Sequence, residues 1–162
     1  MNKHILTILL SVLSITVLHS QSVNSGLIIA NCVLSSLKNG NDSMILHCIP
    51  TNQEFIYIKE TAETVAKKPE PSVDSLIKNI TIGALITINK IHTHGLRKQI
   101  DWSLVKIDSV LVLDLKPEFE KIKKANIIVY LSQENIRFSL KLTRCLFITN
   151  AWRIMDTIIW RE

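Results

Sequence analysis

Residues 125–143 read ANIIVYLSQENIRFSLKLT, and this stretch decides the fold. Its first part, residues 125–132, is rich in the β-branched and aromatic side chains that favour strands. Gln133-Glu134-Asn135 follows as a turn, and apolar side chains then recur at every second position from residue 136 to residue 142. Because a period of two places alternate side chains on one buried face, the stretch is predicted to form an antiparallel hairpin.

The same alternation extends the sheet on both sides of this hairpin. Residues 105–114 alternate apolar and polar side chains over much of their length, which predicts a first strand. Pro117 and the charged run 118–124 are expected to connect that strand to the hairpin. A turn signal at 149–151 precedes residues 152–160, the predicted last strand. Successive strands joined by short turns imply a four-stranded antiparallel meander.

The part of the chain before the sheet has helical periodicity. Apolar residues recur every three to four positions over 24–38, 52–67 and 72–94, which predicts three helices. Residues 80–88 also alternate with a period of two, so a strand is the alternative there, although the longer window favours the helix. Residues 44–49 form either a helical turn or a brief strand.

The predicted helices have recognisable ends. Asn39-Gly40-Asn41 would stop the first helix, because glycine and asparagine accept the left-handed conformation found there. Thr51 and Glu54 fit a capping box, in which Thr51 caps the second helix and Glu54 reaches back. Ser72 is the cap candidate of the third helix, and Gly95 is expected to follow its last residue.

These elements add up to an α+β domain, in which helices are segregated from an antiparallel sheet. We expect the three N-terminal helices to pack on one face of the C-terminal four-stranded antiparallel meander. The first and third strands each carry one strongly apolar face, which fits a sheet covered by helices on one side.

The start of the chain predicts export. Residues 1–4 are a short polar start, residues 5–18 are uncharged and mostly apolar, and residues 19–22 carry small side chains at alternate positions. The apolar run is about 14 residues long, whereas a spanning helix needs roughly 20. We therefore expect residues 1–20 to be a signal peptide, cut between about residues 20 and 22. The mature protein would be a single domain over 23–162, periplasmic or secreted, with no transmembrane segment.

Charge and cysteine content narrow the classes of function. The formal net charge is +5, but the positive residues are scattered and not interleaved with aromatics, so we expect no nucleic-acid binding. The three cysteines, Cys32, Cys48 and Cys145, allow at most one intramolecular bridge. We expect the fold to need no disulfide, and if one forms, Cys32–Cys48 is the least demanding pair by sequence distance.

Helices followed by a meander resemble the nuclear transport factor 2-like and cystatin-like α+β architecture. The ending Asn150-Ala151-Trp152-Arg153-Ile154-Met155-Asp156 is similar to the G-x-W-x-I-x-D close of many such domains, with Asn150 in place of the glycine. Ile100-Asp101-Trp102 and the closing tryptophan strand also resemble uncharacterised exported bacterial proteins of this size. Such folds host ligand binders, isomerases, dehydratases and dimerisation modules, so the resemblance implies a fold and leaves the function open.

Four aromatic residues are the candidates for lining a ligand cavity: Tyr57, Trp102, Tyr130 and Trp152. The alternative for each is a place in the core. His92 and His94 lie two positions apart, which on a helix points them about 200° from each other, so they would not share a metal ion. We expect no catalytic residue, no metal ion and no cofactor.

The sequence therefore predicts a non-enzymatic domain that binds a small apolar ligand or a protein partner in the concavity between sheet and helices. An enzyme that uses a carboxylate or a histidine in that pocket is the first alternative. A structural, envelope-associated protein is the second.

Export gives the first testable prediction. Because the cleavage signal lies at residues 20–22, protein recovered from the secreted fraction should lack about that many N-terminal residues. Intact-mass spectrometry measures this directly, and a secreted chain that still begins with Met1 would contradict the prediction.

Overall fold

The structure, a computed structural model, describes residues 25–40, 43–62, 72–119 and 122–162. Its helices are α1 (residues 25–39), α2 (Ser43–Leu46), α3 (Asn52–Ala62) and α4 (Val73–Arg97), followed by a 3-10 turn at Trp102–Leu104. Its strands are β1 (Lys106–Phe119), β2 (Ile122–Gln133), β3 (Ile136–Ile148), β4 (Ala151–Ile154) and β5 (Ile158–Arg161). The predicted signal peptide lies outside the described residues.

The strands form one antiparallel sheet. Its order is β1-β2-β3, and β3 then pairs with β4 over one part of its length and with β5 over another. The α+β class and the antiparallel pairing are thus confirmed. The predicted last strand is instead two short strands, and opposite the break Arg144 is left-handed with φ 50°. The Thr143 hydroxyl there accepts from Thr157 N at 3.2 Å and donates to Thr157 O at 2.9 Å.

The connection between the first two strands is shorter than predicted. β1 continues through Pro117 to Phe119, and β2 already begins at Ile122, so the expected linker over 117–124 is mostly strand. Proline is tolerated there because β1 is an edge strand, where an unpaired backbone position needs no N–H.

The main core lies between one face of the sheet and helices α1, α2 and α4. Its sheet side comes from alternate strand residues, which share one face by their period of two: Ile127, Val129, Leu131, Phe138, Leu140, Leu142 and Ile158. Its helix side includes Ile29, Val33, Leu37, Ile45, Ala84, Ile88 and Ile91. Residues 80–88 are helical, which confirms the prediction made from the helical periodicity of the longer window.

Helix α3 belongs to a second, smaller core cluster. Ile122, Leu146 and Ile148 form this cluster, and Ile58 of α3 packs against it. Leu146 and Ile148 alternate with Cys145, which lies in the main core, so their side chains are on the opposite face of β3. The prediction that all helices pack on one face is therefore wrong for α3, which covers one end of the other face and also lies beside α4.

The helix ends match the predicted caps except at Gly95. Thr51 and Glu54 form the capping box, and the Ser72 hydroxyl accepts from Ser75 N at 3.3 Å. Helix α4, however, continues past Gly95 to Arg97. The left-handed position that ends a helix of this kind is Gln99, with φ 62°, and Ile100 N then donates back to the Gly95 carbonyl at 2.9 Å.

Gly95 is required by packing. A Cβ atom at this position would overlap Cζ2 of the Trp102 ring, because the indole rests directly on the helix backbone. Trp102 is held there by its indole N–H, which donates to the His92 carbonyl at 3.1 Å.

A disulfide joins Cys32 of α1 to Cys48, the pair that the sequence makes least demanding, and Cys145 is a buried free thiol. The sequence predicted a fold that needs no disulfide, whereas the structure contains one. Closing a loop of 16 residues stabilises a folded chain by about 3 kcal/mol, mainly because it restricts the unfolded state. Within the described ranges, none of the helices has the length and apolar character needed to cross a bilayer.

The two glycines of α4 offer a matched test of this packing. Gly95→Ala should lower the free energy of unfolding by about 1–3 kcal/mol, because its methyl group overlaps the Trp102 ring. Gly83→Ala has open space around it and should raise the same quantity by about 0.5–1 kcal/mol. Urea denaturation measures both, and a shift of the same sign in the two variants would contradict the assigned role of Gly95.

Candidate functional site

The structure separates the four aromatic residues proposed to line one cavity. Trp102 and Trp152 are buried in the main core. Tyr57 lies exposed on α3, and Tyr130 is exposed on the face of β2 that points away from the main core. Trp152 lines a small cavity and Trp102 a separate surface depression, so the described residues do not bring the four side chains together.

The space between α4 and the sheet is filled. Trp102 packs edge-to-face on Phe138 and on Trp160, and the Phe138 and Trp160 rings stack with centroids 4.3 Å apart. His94 lies against the edge of Trp160, and His92 stacks on Trp102. The concavity expected between sheet and helices is thus occupied at this end by protein side chains.

A small cavity remains between α1 and β4, and we call it the α1–β4 cavity. Its volume is about 100 Å³, and its lining is Ser25, Ile28, Ile29, Cys32, His47, Cys48, Ala151, Trp152 and Arg153. The disulfide and Trp152 make it largely apolar, and the indole N–H of Trp152 has no acceptor among the described residues. A wider depression of about 410 Å³ opens beside Trp102, but it is shallow and half polar.

The carboxylate of Glu54 is the centre of a buried polar network next to this cavity. Arg153 donates to it through Nε, at 3.0 Å from each oxygen, and through Nη2 at 2.8 Å from Oε1. Thr149 Oγ1 donates at 2.6 Å and Thr51 N at 2.8 Å. Arg153 Nη1 also donates to the His47 carbonyl at 3.4 Å. The network joins α3, the β3–β4 turn and the segment that carries Cys48.

This network holds Glu54 in its charged form. Burial by itself would raise the pKa of Glu54, but hydrogen bonds from Arg153, Thr149 and Thr51 and the positive charge of Arg153 outweigh it and lower the pKa to about 2. A carboxylate with all its bonds made and so low a pKa is a poor proton donor or acceptor near neutral pH. Its role is structural.

The remaining candidates for chemistry are also accounted for structurally. Burial raises the pKa of the Cys145 thiol to about 12, so it stays protonated and unreactive. Asp101 caps the 3-10 turn, since it accepts from Ser103 Oγ at 2.7 Å and from Ser103 N at 3.0 Å, and these bonds lower its pKa. In the part of the chain that the structure describes, no cluster of histidine, cysteine or acidic residues could hold a metal ion.

The outer face of the sheet, which points away from the main core, has an apolar region that the described helices leave open. Leu111 of β1, Ile128 of β2 and Ile159 of β5 lie in one row, with Lys141 between the last two. Leu113 and Tyr130 occupy neighbouring outer positions. We call Leu111, Leu113, Ile128, Tyr130 and Ile159 the open face.

Exposed apolar side chains dominate this region. Four of the five are between 40% and 43% exposed, and Ile128 at the centre is buried but belongs to neither core cluster. The open face was not predicted from the sequence, although its signal was present. Residues 110–113 read VLVL, a run apolar on both faces of the strand, and such a strand is usually covered on both sides.

Comparison with protein-family models, curated proteins and solved structures finds no match for this chain. The resemblance to the nuclear transport factor 2-like architecture stays a prediction.

The ion pair yields a prediction with a defined pH dependence. Glu54→Gln should lower the free energy of unfolding at neutral pH by about 3 kcal/mol, because it leaves the partly buried Arg153 charge without its partner. The folded-state pKa lies below the ordinary value of 4.5, so the stabilisation is complete above pH 4.5 and is lost as the pH falls toward about 2.

Urea denaturation across this pH range should therefore show an acid loss of stability that is larger in the wild type than in Glu54→Gln. Glu60→Gln, an exposed position on the same helix, is the control and should behave like the wild type. An equal loss of stability in both variants would contradict the role of the buried pair.

Proposed function

We propose that this chain is an exported, non-enzymatic domain that binds a partner protein through its open face. The single observation that carries the proposal is the group of apolar side chains at outer positions of β1, β2 and β5, four of them exposed. Exposed apolar surface of this kind on a folded domain marks an interaction site, because covering it removes apolar area from water.

The size of the α1–β4 cavity favours a protein partner over a small ligand. Ordinary ligand pockets enclose about 300–1,000 Å³, whereas this cavity encloses about 100 Å³, and the depression of about 410 Å³ beside Trp102 is shallow and half polar. The volume of the cavity admits only a few non-hydrogen atoms. The interface energy available to a partner on the open face is larger, since several side chains there can each bury substantial apolar area.

Chemistry at the buried titratable groups is not needed for this function. Glu54 forms an ion pair with Arg153, and Cys145 is protonated and buried in the main core. Neither group therefore faces a space in which a substrate would sit.

The disulfide supports action outside the cytoplasm. Disulfides such as Cys32–Cys48 persist in oxidising compartments and are rare in the reducing cytosol. The signal-like pattern of the N-terminal apolar run also supports a periplasmic or secreted location.

The open face is tested by selecting binding peptides from a displayed random library on the wild-type domain. Affinities of the selected peptides are then measured by calorimetry for the wild type and for Leu111→Asp/Ile159→Asp. Two carboxylates in the row should weaken binding by at least about tenfold, because they desolvate on contact with an apolar partner.

The control is Ile82→Asp/Ile86→Asp, which alters two equally exposed isoleucines on α4. It should leave the affinities within about twofold of the wild type, and thermal melts should show that both variants are folded. The proposal fails if no peptide is selected, or if the two variants weaken binding to the same degree.

A further inference from the structure

We infer that the partner presents an acidic amphipathic helix, which lies on the open face beside α3. This inference rests on the proposed function and specifies the chemistry of the partner. It is carried by three features of the described residues: the charges around the open face, the construction of the sheet edge and the position of α3.

Basic side chains border the open face. Lys106 and Arg137 lie in one outer row of the sheet, Arg161 lies in the row of Tyr130, and Lys141 lies between Ile128 and Ile159. Within the described ranges, none of these four cations forms an ion pair.

One described carboxylate, Asp108, lies on the same side of the sheet, where it accepts a hydrogen bond from Ser132 Oγ at 2.6 Å, and the four cations outnumber it. The field over the open face is therefore positive. It favours a partner whose apolar stripe is flanked by glutamate or aspartate.

The edge of the sheet is unsuited to adding a strand from a partner. The sheet has two edges. One is β1, which pairs only with β2 among the described strands, and the other is formed by β4 and β5, which pair only with β3 and are four residues long each. A bulge interrupts β1 between Ile107 and Ser109, Pro117 offers no backbone N–H, and strands as short as β4 and β5 are poor templates for pairing. Bulges, charges and proline are the features that block edge-to-edge pairing. The partner is thus expected on the face of the sheet and not at its edge.

The same face already holds a helix at one end. Ile58 of α3 packs on the second core cluster, and Glu54 pairs with Arg153 on that side of β4. α3 contacts this face through Ile58 and otherwise lies beside α4, so it occupies only the end of the face. A helix with its side chains is about 10 Å across, which suits a partner on the remainder of the face.

The probe is a synthetic amphipathic helical peptide with leucine on one face and glutamate along both borders. Its partner peptide has lysine in place of every glutamate. Calorimetry should show the acidic peptide binding at least about tenfold more tightly than the basic one, with an affinity that falls as salt is added. Lys141→Glu/Arg161→Glu should remove this preference.

The control is Lys78→Glu/Lys90→Glu, which changes the net charge equally but alters exposed positions on α4. It should keep the preference for the acidic peptide. Equal binding of both peptides, or an equal effect of the two charge variants, would overturn the inference. Binding to vesicles of phosphatidylcholine and phosphatidylglycerol without binding to the acidic peptide would overturn it in favour of a lipid surface.

Failure of this inference can be told apart from failure of the proposed function. If library-selected peptides lose affinity for Leu111→Asp/Ile159→Asp but the acidic peptide does not bind, the open face is a docking site for another chemistry. If the acidic peptide binds that variant as tightly as the wild type, it does not use the open face, and the inference is wrong.

Discussion

The arrangement of the domain depends on one buried ion pair, Glu54–Arg153. The same carboxylate caps α3 through Thr51, accepts from the β3–β4 turn through Thr149 and pairs with β4 through Arg153. Burying a charge costs free energy unless its hydrogen bonds are replaced, and here each oxygen of Glu54 receives more than one. The pair thereby fixes α3 on the second face of the sheet, where apolar contacts alone are few.

The position of α3 determines how much of the sheet remains open. An antiparallel sheet is stable with one face covered, and the main core supplies that cover through α1, α2 and α4. Among the described helices, α3 covers the second face, where it meets Ile122, Leu146 and Ile148. Beyond that end, the described residues leave the apolar open face bordered by basic side chains. A partner helix would continue the layer that α3 begins, which is the physical basis of the proposed function.

The packing of the interior also favours a partner that binds at the surface. Trp102, Phe138 and Trp160 fill the space in which a ligand concavity was expected, and Trp102 fits only because Gly95 leaves room for its ring on α4. Close packing of this kind removes the volume that a small molecule would need. The remaining α1–β4 cavity is small, so binding capacity is concentrated on the surface.

Local sequence determined the class of the fold and many of its element ends. The two-residue period over 136–142 identified β3, the capping box identified the start of α3, and Ser72 identified the start of α4, because each signal acts between residues close in the chain. Sequence distance also made Cys32–Cys48 the least demanding cysteine pair, although the fold was not expected to need a disulfide.

Tertiary structure decided what depended on contacts between distant residues. Glu54 and Arg153 are 99 positions apart. The sequence therefore predicted the helix cap at Glu54 but not the ion pair that holds α3 at the other face. The sequence predicted that Gly95 follows the end of the helix. The glycine is instead inside α4, because the Trp102 ring packs against it and leaves no room for a side chain. The four aromatic candidates were dispersed for the same reason: strand alternation and helix docking, not residue type, assign each side chain to the core or to the surface.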